Sequence, residues 1–287
     1  MIEDEFRPVT DEDLPKLLQL LKCDFPRGIH AYSYIDTLCK WRQKNTSLDI
    51  HFLAPGGNYR HGVFFYMTYK TETKERLEGS FYASTMEGHK KLVDALNQYE
   101  FDWDRYILLF TCMQEQTWNC IQKVFLAKGC QLNSSNDNVY WMPWKEAKDI
   151  QVEIPDTMYL ADLKPEHADI INSIWPHRFR GSSTVIKQII KLNFGIGLFL
   201  RGSSELISWA VFWYYGGIGA VQTVEEYRRK GCASATVQAI TRKMGSQGLD
   251  VHLNVVNGNI AGNLFFTKQG FRFAFIGVWA FSPNSDG

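Results

Sequence analysis

Net charge is the first thing this chain lacks. Its 287 residues carry 31 Lys and Arg against 31 Asp and Glu. No sequence-wide electrostatic footprint for a nucleic-acid backbone exists, although a local basic patch is still allowed. Ligand-type cysteine spacing is also missing. The six cysteines, Cys23, Cys39, Cys112, Cys120, Cys130 and Cys232, form no CxxC pair and no Cys/His set, so no metal site is expected. The start, MIEDEFRPVTDEDL, is acidic and has no apolar h-region, unlike a signal peptide. No run of about 18 apolar residues suggests a membrane span. These absences together predict a reduced, intracellular protein, cytoplasmic by default with the mitochondrion left open. The glycosylation sequons at Asn45 and Asn133 carry little weight in such a compartment.

What is present is length and aromatic residues. The chain is long enough for two ordinary domains with sizeable cores. Patterning predicts helices over 10–21 and 32–42, strands over 49–54, 61–69 and 77–84, a helix over 88–99, a strand over 105–112, a helix over 114–127 and a strand over 139–144. A polar stretch at 145–155 marks the expected boundary, giving domains 1–150 and 151–287. The order then begins again. Helices are expected over 164–175 and 182–192, a hairpin over 196–215, a strand over 218–225, a helix over 232–243, a strand over 249–256, a helix over 259–268 and a final strand or strand pair over 271–281. The helix ends Phe125-Leu-Ala-Lys-Gly-Cys130 and Phe266-Thr-Lys-Gln-Gly-Phe271 echo one another, which suggests a tandem duplication.

One stretch stands out, VQTVEEYRRKGCAS from Val221 to Ser234. It reads as a strand, a basic glycine turn and a helix start. The first N–H groups of a helix lack intrahelical partners and point outward, and the dipole adds about half a positive charge. Arg228, Arg229 and Lys230 add full charges. Gly231 keeps any Cβ out of the way, and Ala233 and Ser234 keep the first turn small. The stretch is a pyrophosphate cradle in outline. The first half has no Arg-x-x-Gly turn between Leu77 and Leu96. Cys232, at a helix N-terminus beside cations, is expected to have a lowered thiol pKa, with a small slot-filling residue as the plainer reading. His252 and Glu225 stand where a proton acceptor could act. Of Trp209, Phe212, Trp213 and Tyr214, about two are expected in the core and the rest along a pocket. Trp175 could wall an acceptor site, with His177, Arg178 and Arg180 in a following loop.

Val224-Glu-Glu-Tyr-Arg228-Arg-Lys-Gly231-Cys-Ala233 resembles the acyl-CoA signature of the GCN5-related N-acetyltransferase superfamily. Asn259, with Phe266, Lys268 and Gly270-Phe271 after it, resembles that superfamily's next motif. Thr223-Val-x-Glu-Tyr-Arg and Trp175 are similar to its FR47-like and glycine N-acyltransferase-like branch. The resemblance implies an α+β chain of tandem folds, each a twisted mixed sheet flanked by helices, the first degenerate. It implies acetyl-CoA or another acyl-CoA as co-substrate, held by Thr223, Val224, Arg228, Arg229, Lys230, Gly231, Cys232, Ala233, Ser234, Asn259 and Phe266. The pantetheine arm would pair with the strand at Val224 and Glu225. The acyl group would pass to an amine, whether a small amino acid, a peptide N-terminus or a lysine. The chain departs from the pattern twice: Phe266 stands where many members have a Tyr donor, and Gly217 where a Glu base is expected. These departures support a competing reading, a catalytically silent acyl-CoA-binding or scaffold protein.

Overall fold

The computed structural model describes residues 5–44, 48–72 and 74–283. The Asn45 sequon lies outside the described residues. Two compact units form.

Unit 1 holds the chain up to Val139, Val256–Gly258 and everything from Ala274 onward. Its elements are β1 (Phe6–Pro8), α1 (Leu14–Cys23), α2 (Ile29–Gln43), β2 (Asp49–Pro55), β3 (Val63–Lys70), β4 (Glu75–Tyr82), α3 (Met86–Gln98), β5 (Tyr106–Gln114), α4 (Glu115–Ala127) and most of β6 (Asn133–Met142). The first helix starts later than expected because Asp13 N–H bonds to the Thr10 carbonyl at 3.0 Å, making a turn of residues 10–13. Strand pairing is antiparallel from β1 to β4 and parallel between β4 and β5. The core is aromatic: Phe64, Phe81, Phe110 and Phe125 are buried together with Leu92, Leu96 and Trp103.

Unit 2 holds Tyr140–Val255 and Asn259–Phe273. It contains α5 (Trp144–Ala147), β7 (Met158–Asp162), α6 (Ala168–Ile174), α7 (Ser182–Leu192), β8 (Gly195–Leu200), β9 (Leu206–Phe212), β10 (Ile218–Thr223), α8 (Cys232–Ser246), β11 (Val251–Val256) and α9 (Ile260–Lys268), followed by β12 (Arg272–Phe281), most of which counts with unit 1. Its sheet order is β11-β10-β9-β8-β7. Pairing is antiparallel from β7 to β10 and parallel between β10 and β11. The two units therefore repeat one plan, a mixed sheet flanked by helices.

Further features depart from the expected layout. The chain changes unit after Val139, and the polar stretch 145–155 is not a linker. Ala147 is fully buried, Ile150 and Val152 pack on the unit 2 core, and Gly245 on α8 leaves the room that α5 needs: a Cβ there would meet the Lys148 nitrogen at 2.4 Å. Asp250 fastens the same stretch, accepting from the Trp141 indole at 3.0 Å and from the Trp144 N–H at 3.1 Å. The second departure is the C-terminal strand. β12 pairs antiparallel with β5, Val278 facing Met113 and Ala280 facing Phe110. Val278 and Ala280 are buried in the unit 1 core, so the end of the chain completes the fold of its beginning. β6 also starts earlier than expected, at Asn133. The run NSSNDN has poor intrinsic strand preference, and lateral pairing overrides it. Among the described residues, no helix is long and apolar enough to cross a membrane, and no group of three His, Cys, Asp or Glu is placed to hold a metal ion.

Candidate functional site

The site is built where β10 leaves β11. β10 follows β9 from Ile218↔Phe212 to Thr223↔Ser208, but it meets β11 at Ile218↔Leu253 alone. Between Gly219 and Gln222 the register slips: two residues, Ala220 and Val221, stand against Ala210. Such a bulge bends a strand and raises its twist. Ala220 takes a left-handed φ of 49° there. Past Ile218 the two parallel strands have no further registered pair among the described residues, and Gly219 to Gln222 are half-buried.

The strand stops at Thr223, short of the expected Glu225. Val224 N–H donates to the Ile207 carbonyl at 2.9 Å, and the Val224 carbonyl accepts from Tyr227 N–H at 3.0 Å. The Val224 N–H is thus engaged, while its carbonyl keeps a second acceptor lone pair. Glu225 lies on a one-turn 3-10 segment, Glu225–Tyr227, and is exposed with Glu226. A buried run of hydroxyls fixes the end of the strand: Ser208 Oγ lies 2.8 Å from Thr223 Oγ1 and 3.3 Å from Thr236 Oγ1 on α8. This tie was invisible in the pattern, because Ser208, Thr223 and Thr236 lie on three separate elements.

The cradle follows. Arg228 Nε donates to the Thr223 carbonyl at 3.3 Å, and Lys230 Nζ sits 5.2 Å from the centre of the Tyr227 ring. Arg229 and Gly231 take left-handed φ values of 62° and 81°. Gly231 is the N-cap of α8 and offers no side-chain cap. A Cβ on it would meet nothing within 4 Å, so the space over the helix start is open. The first backbone bond of the helix is Ala235 N–H to the Gly231 carbonyl at 3.1 Å. The N–H groups of Ala233 and Ser234 precede it and lack an intrahelical acceptor, as the first turn of any helix must. Three cations, open amides and small side chains suit a diphosphate.

Cys232 corrects an expectation. It is 1% exposed, its sulfur lies 3.8 Å from that of Met158, and burial lifts the thiol above its ordinary pKa despite Lys230 nearby. The side chain fills the floor of the turn, as the plainer reading had it. Ser234 Oγ accepts from Gln269 at 3.2 Å, coupling the start of α8 to the end of α9. Asn259 caps α9, its Oδ1 accepting from Gly262 N–H at 2.9 Å. Phe266 is nine-tenths buried and packs edge-on against Phe271 at 6.1 Å.

Aromatic residues crowd β9 and the turn that follows it. Trp209, Trp213 and Tyr214 are buried and Phe212 is half-buried, one more in the core than expected. His252 is fully buried, and burial pushes its pKa down to about 3. At neutral pH it carries no charge, and this packing does not make it the proton acceptor the sequence suggested. Its ring also explains Gly217: a Cβ there would lie 2.8 Å from the His252 carbonyl oxygen and 2.9 Å from Nε2. A Glu at 217 has no room. Trp175 is half-buried against Trp213 at 5.3 Å, while His177, Arg178 and Arg180 are exposed in the loop beyond.

Unit 1 offers no counterpart among its described residues. Its β4 and β5 stay paired from Glu75↔Tyr106 to Gly79↔Phe110, and Ser80 Oγ then donates to the Thr111 carbonyl at 2.7 Å. The start of α3 is capped by its own chain, Thr85 Oγ1 accepting from Gly88 N–H at 3.0 Å.

Residues 195–280 match the family model described as FR47-like protein. That stretch is similar to the FR47-like family, and the fold is that of the GCN5-related N-acetyltransferases. An X-ray structure of a Drosophila protein superposes over 98% of this chain and 99% of its own, with a TM-score of 0.85 at 18% identity. A GCN5-related N-acetyltransferase from Sphaerobacter thermophilus covers 96% of this chain and 94% of its own (TM-score 0.54, 11% identity). A tandem protein of the superfamily from the clavulanic acid biosynthesis pathway covers 96% and 97% (TM-score 0.52, 12% identity). At these identities the likeness is one of fold. No curated protein matches the sequence.

Proposed function

We propose that unit 2 binds an acyl-CoA and passes its acyl group to a primary amine, and that unit 1 is a degenerate copy with a structural role. The observation that supports this reading is the loss of registered pairing between β10 and β11 past Ile218, where the reading puts a cleft, followed along the chain by the open cradle of Gly231 to Ser234. A strand edge suits an amide-bearing arm, and a helix start with Arg228, Arg229 and Lys230 suits the diphosphate at its end. The residues fit the group, since Gly231 lets its phosphates approach the backbone with nothing in the way.

When bound, acyl-CoA supplies a thioester whose sulfur is a fair leaving group. The chain supplies position. The cradle fixes the diphosphate, the hydroxyls of Ser208, Thr223 and Thr236 fix the strand that leads to it, and the bulge at Ala220 sets where the cleft opens. Holding two reactants in line removes most of the entropic cost of their meeting. N–H groups on the open edge of β10 would stabilise the oxyanion. Glu225, exposed beside the cleft, takes the released proton through water. Asn259 holds the start of α9 beside the cofactor.

A second reading, a silent acyl-CoA-binding protein, is favoured by one observation: Phe266 cannot donate to a thiolate and Gly217 cannot hold an acid. Free thiol release from acyl-CoA, with and without mixed amines, separates the two. Amine-dependent release supports transfer. Binding without it leaves the silent reading.

A further inference from the structure

Hydroxyls on the helices of unit 2 are used in two ways. Thr236 Oγ1 turns back along α8, donating to the Ala233 carbonyl at 3.1 Å with the Cys232 carbonyl at 3.3 Å. Thr267 Oγ1 does the same on α9, donating to the Asn263 carbonyl at 2.9 Å. Such back-bonding is the ordinary use of a hydroxyl inside a helix. Ser234 departs from it. Among the described residues its one side-chain partner is Gln269, whose Nε2 donates to Ser234 Oγ at 3.2 Å.

A serine oxygen that accepts from an amide keeps its own proton to give. Ser234 is the third residue of α8, and a helical Cα–Cβ bond tilts toward the N-terminus. The half-buried hydroxyl therefore leans over the first turn. There Gly231 leaves open space, and the N–H groups of Ala233 and Ser234 precede the first backbone bond. Gln269 is held for this contact. It ends α9, its backbone N–H bonding the Phe265 and Phe266 carbonyls at 3.1 Å each. Its side-chain Oε1 is buried with no hydrogen-bond partner, which is costly for an amide oxygen. The opposite turn of the amide would set Oε1 against Ser234 Oγ and take the serine proton for itself.

We infer that Gln269 is a positioning residue for the diphosphate: its Nε2 holds the Ser234 oxygen as an acceptor, so that the Ser234 hydroxyl donates into the cradle to a phosphate oxygen. This rests on the acyl-CoA reading above. Amide, hydroxyl and phosphate then form a chain in which each donated bond polarises the next. The end of α9, distant in sequence from the cradle, thereby sets the direction of one of its donors.

The test is calorimetric titration of the intact chain with coenzyme A, for the parent, Ser234→Ala, Gln269→Met and the two substitutions together. Each single substitution should weaken binding about tenfold, the size expected for one hydrogen bond to a charged group. The double variant should bind about as weakly as either single one, because the amide acts only through the hydroxyl. Gln269→Glu keeps the shape, but its carboxylate only accepts; it takes the Ser234 proton and repels the phosphates, and binding should fall about a hundredfold. A merely structural glutamine gives losses that add, Gln269→Met weakening binding as much in Ser234→Ala as in the parent. Additive losses, or an unchanged affinity in either single variant or in Gln269→Glu, overturn the inference and leave the acyl-CoA site standing. No binding of coenzyme A by the parent overturns the acyl-CoA reading and this inference with it.

Discussion

In unit 1, β4 and β5 stay in register from Glu75↔Tyr106 to Gly79↔Phe110, and Thr85 caps the helix that follows. In unit 2, β10 and β11 share the single registered pair Ile218↔Leu253 among the described residues, and Gly231 offers its helix no side-chain cap. The two units use the same sheet plan and the same strand–helix order. They differ in whether the chain satisfies its own polar groups. Around the unit 1 strand pair, His30 bonds Thr111 at 3.0 Å and Tyr34 bonds the Glu78 carbonyl at 3.1 Å, so the counterpart of the cleft is filled with internal partners. A fold that satisfies itself at this point gains stability and loses a binding site.

The strongest way to break the comparison is to close the open cradle. Arg228→Glu with Gly231→Asp replaces a cation and an open backbone by two anions. Affinity for acetyl-CoA should fall a hundredfold or more, about 3 kcal/mol or above, and the thermal stabilisation by acetyl-CoA should vanish. Retained stabilisation would place the site elsewhere.

The pH response should differ between the units as well. His252 has a folded pKa of about 3 against roughly 6.5 unfolded, so below pH 6.5 the unfolded chain binds the extra proton. Its contribution is whole above that value and declines by up to about 1.4 kcal/mol per pH unit as pH falls toward 3. Asp137 in unit 1 has the opposite sign. Burial raises it to about 6, so the folded state holds the proton, and stability is lost as pH rises from about 4 through 6. Asp137→Asn should therefore stabilise at pH 7 by roughly 2 kcal/mol and change little at pH 4. Urea midpoints across pH read both effects, and a pH-independent difference between the parent and Asp137→Asn would refute the burial of Asp137.

Val278→Ala tests the returning strand. Deleting two buried methyls from the unit 1 core should cost about 2 kcal/mol in chemical denaturation, although residue 278 lies far along the chain from that core. A cost near zero would mean that β12 does not complete unit 1. The smallest effect is at the cap. Thr85→Ala should cost about 1 kcal/mol and leave acetyl-CoA affinity unchanged, since that helix start is not the one in use.

Much of this layout was legible in the chain. The order of helices and strands followed from periodicity and punctuation, and the cradle followed from Arg228, Arg229, Lys230 and Gly231 lying between a strand and a helix. Other features escaped because they depend on distant partners. The strand of Met158–Asp162 is short and half-exposed, and its pairing with β8 defines it. The stretch 145–155 looks like a linker because it is mostly polar and charged and ends at Pro155, although Ile150, Val152 and Ile154 alternate. Cys232 was read from its charged neighbours, when the governing fact was the Met158 sulfur beneath it. Gly217 read as a missing acid, and its meaning came from the His252 ring that takes the same space.

Calorimetric titration of the intact chain with acetyl-CoA tests the central comparison most directly, because it counts sites. The account predicts one site per chain, abolished by Arg228→Glu with Gly231→Asp and unaffected by Thr85→Ala. Two sites per chain, or one that survives the cradle substitutions, would contradict it.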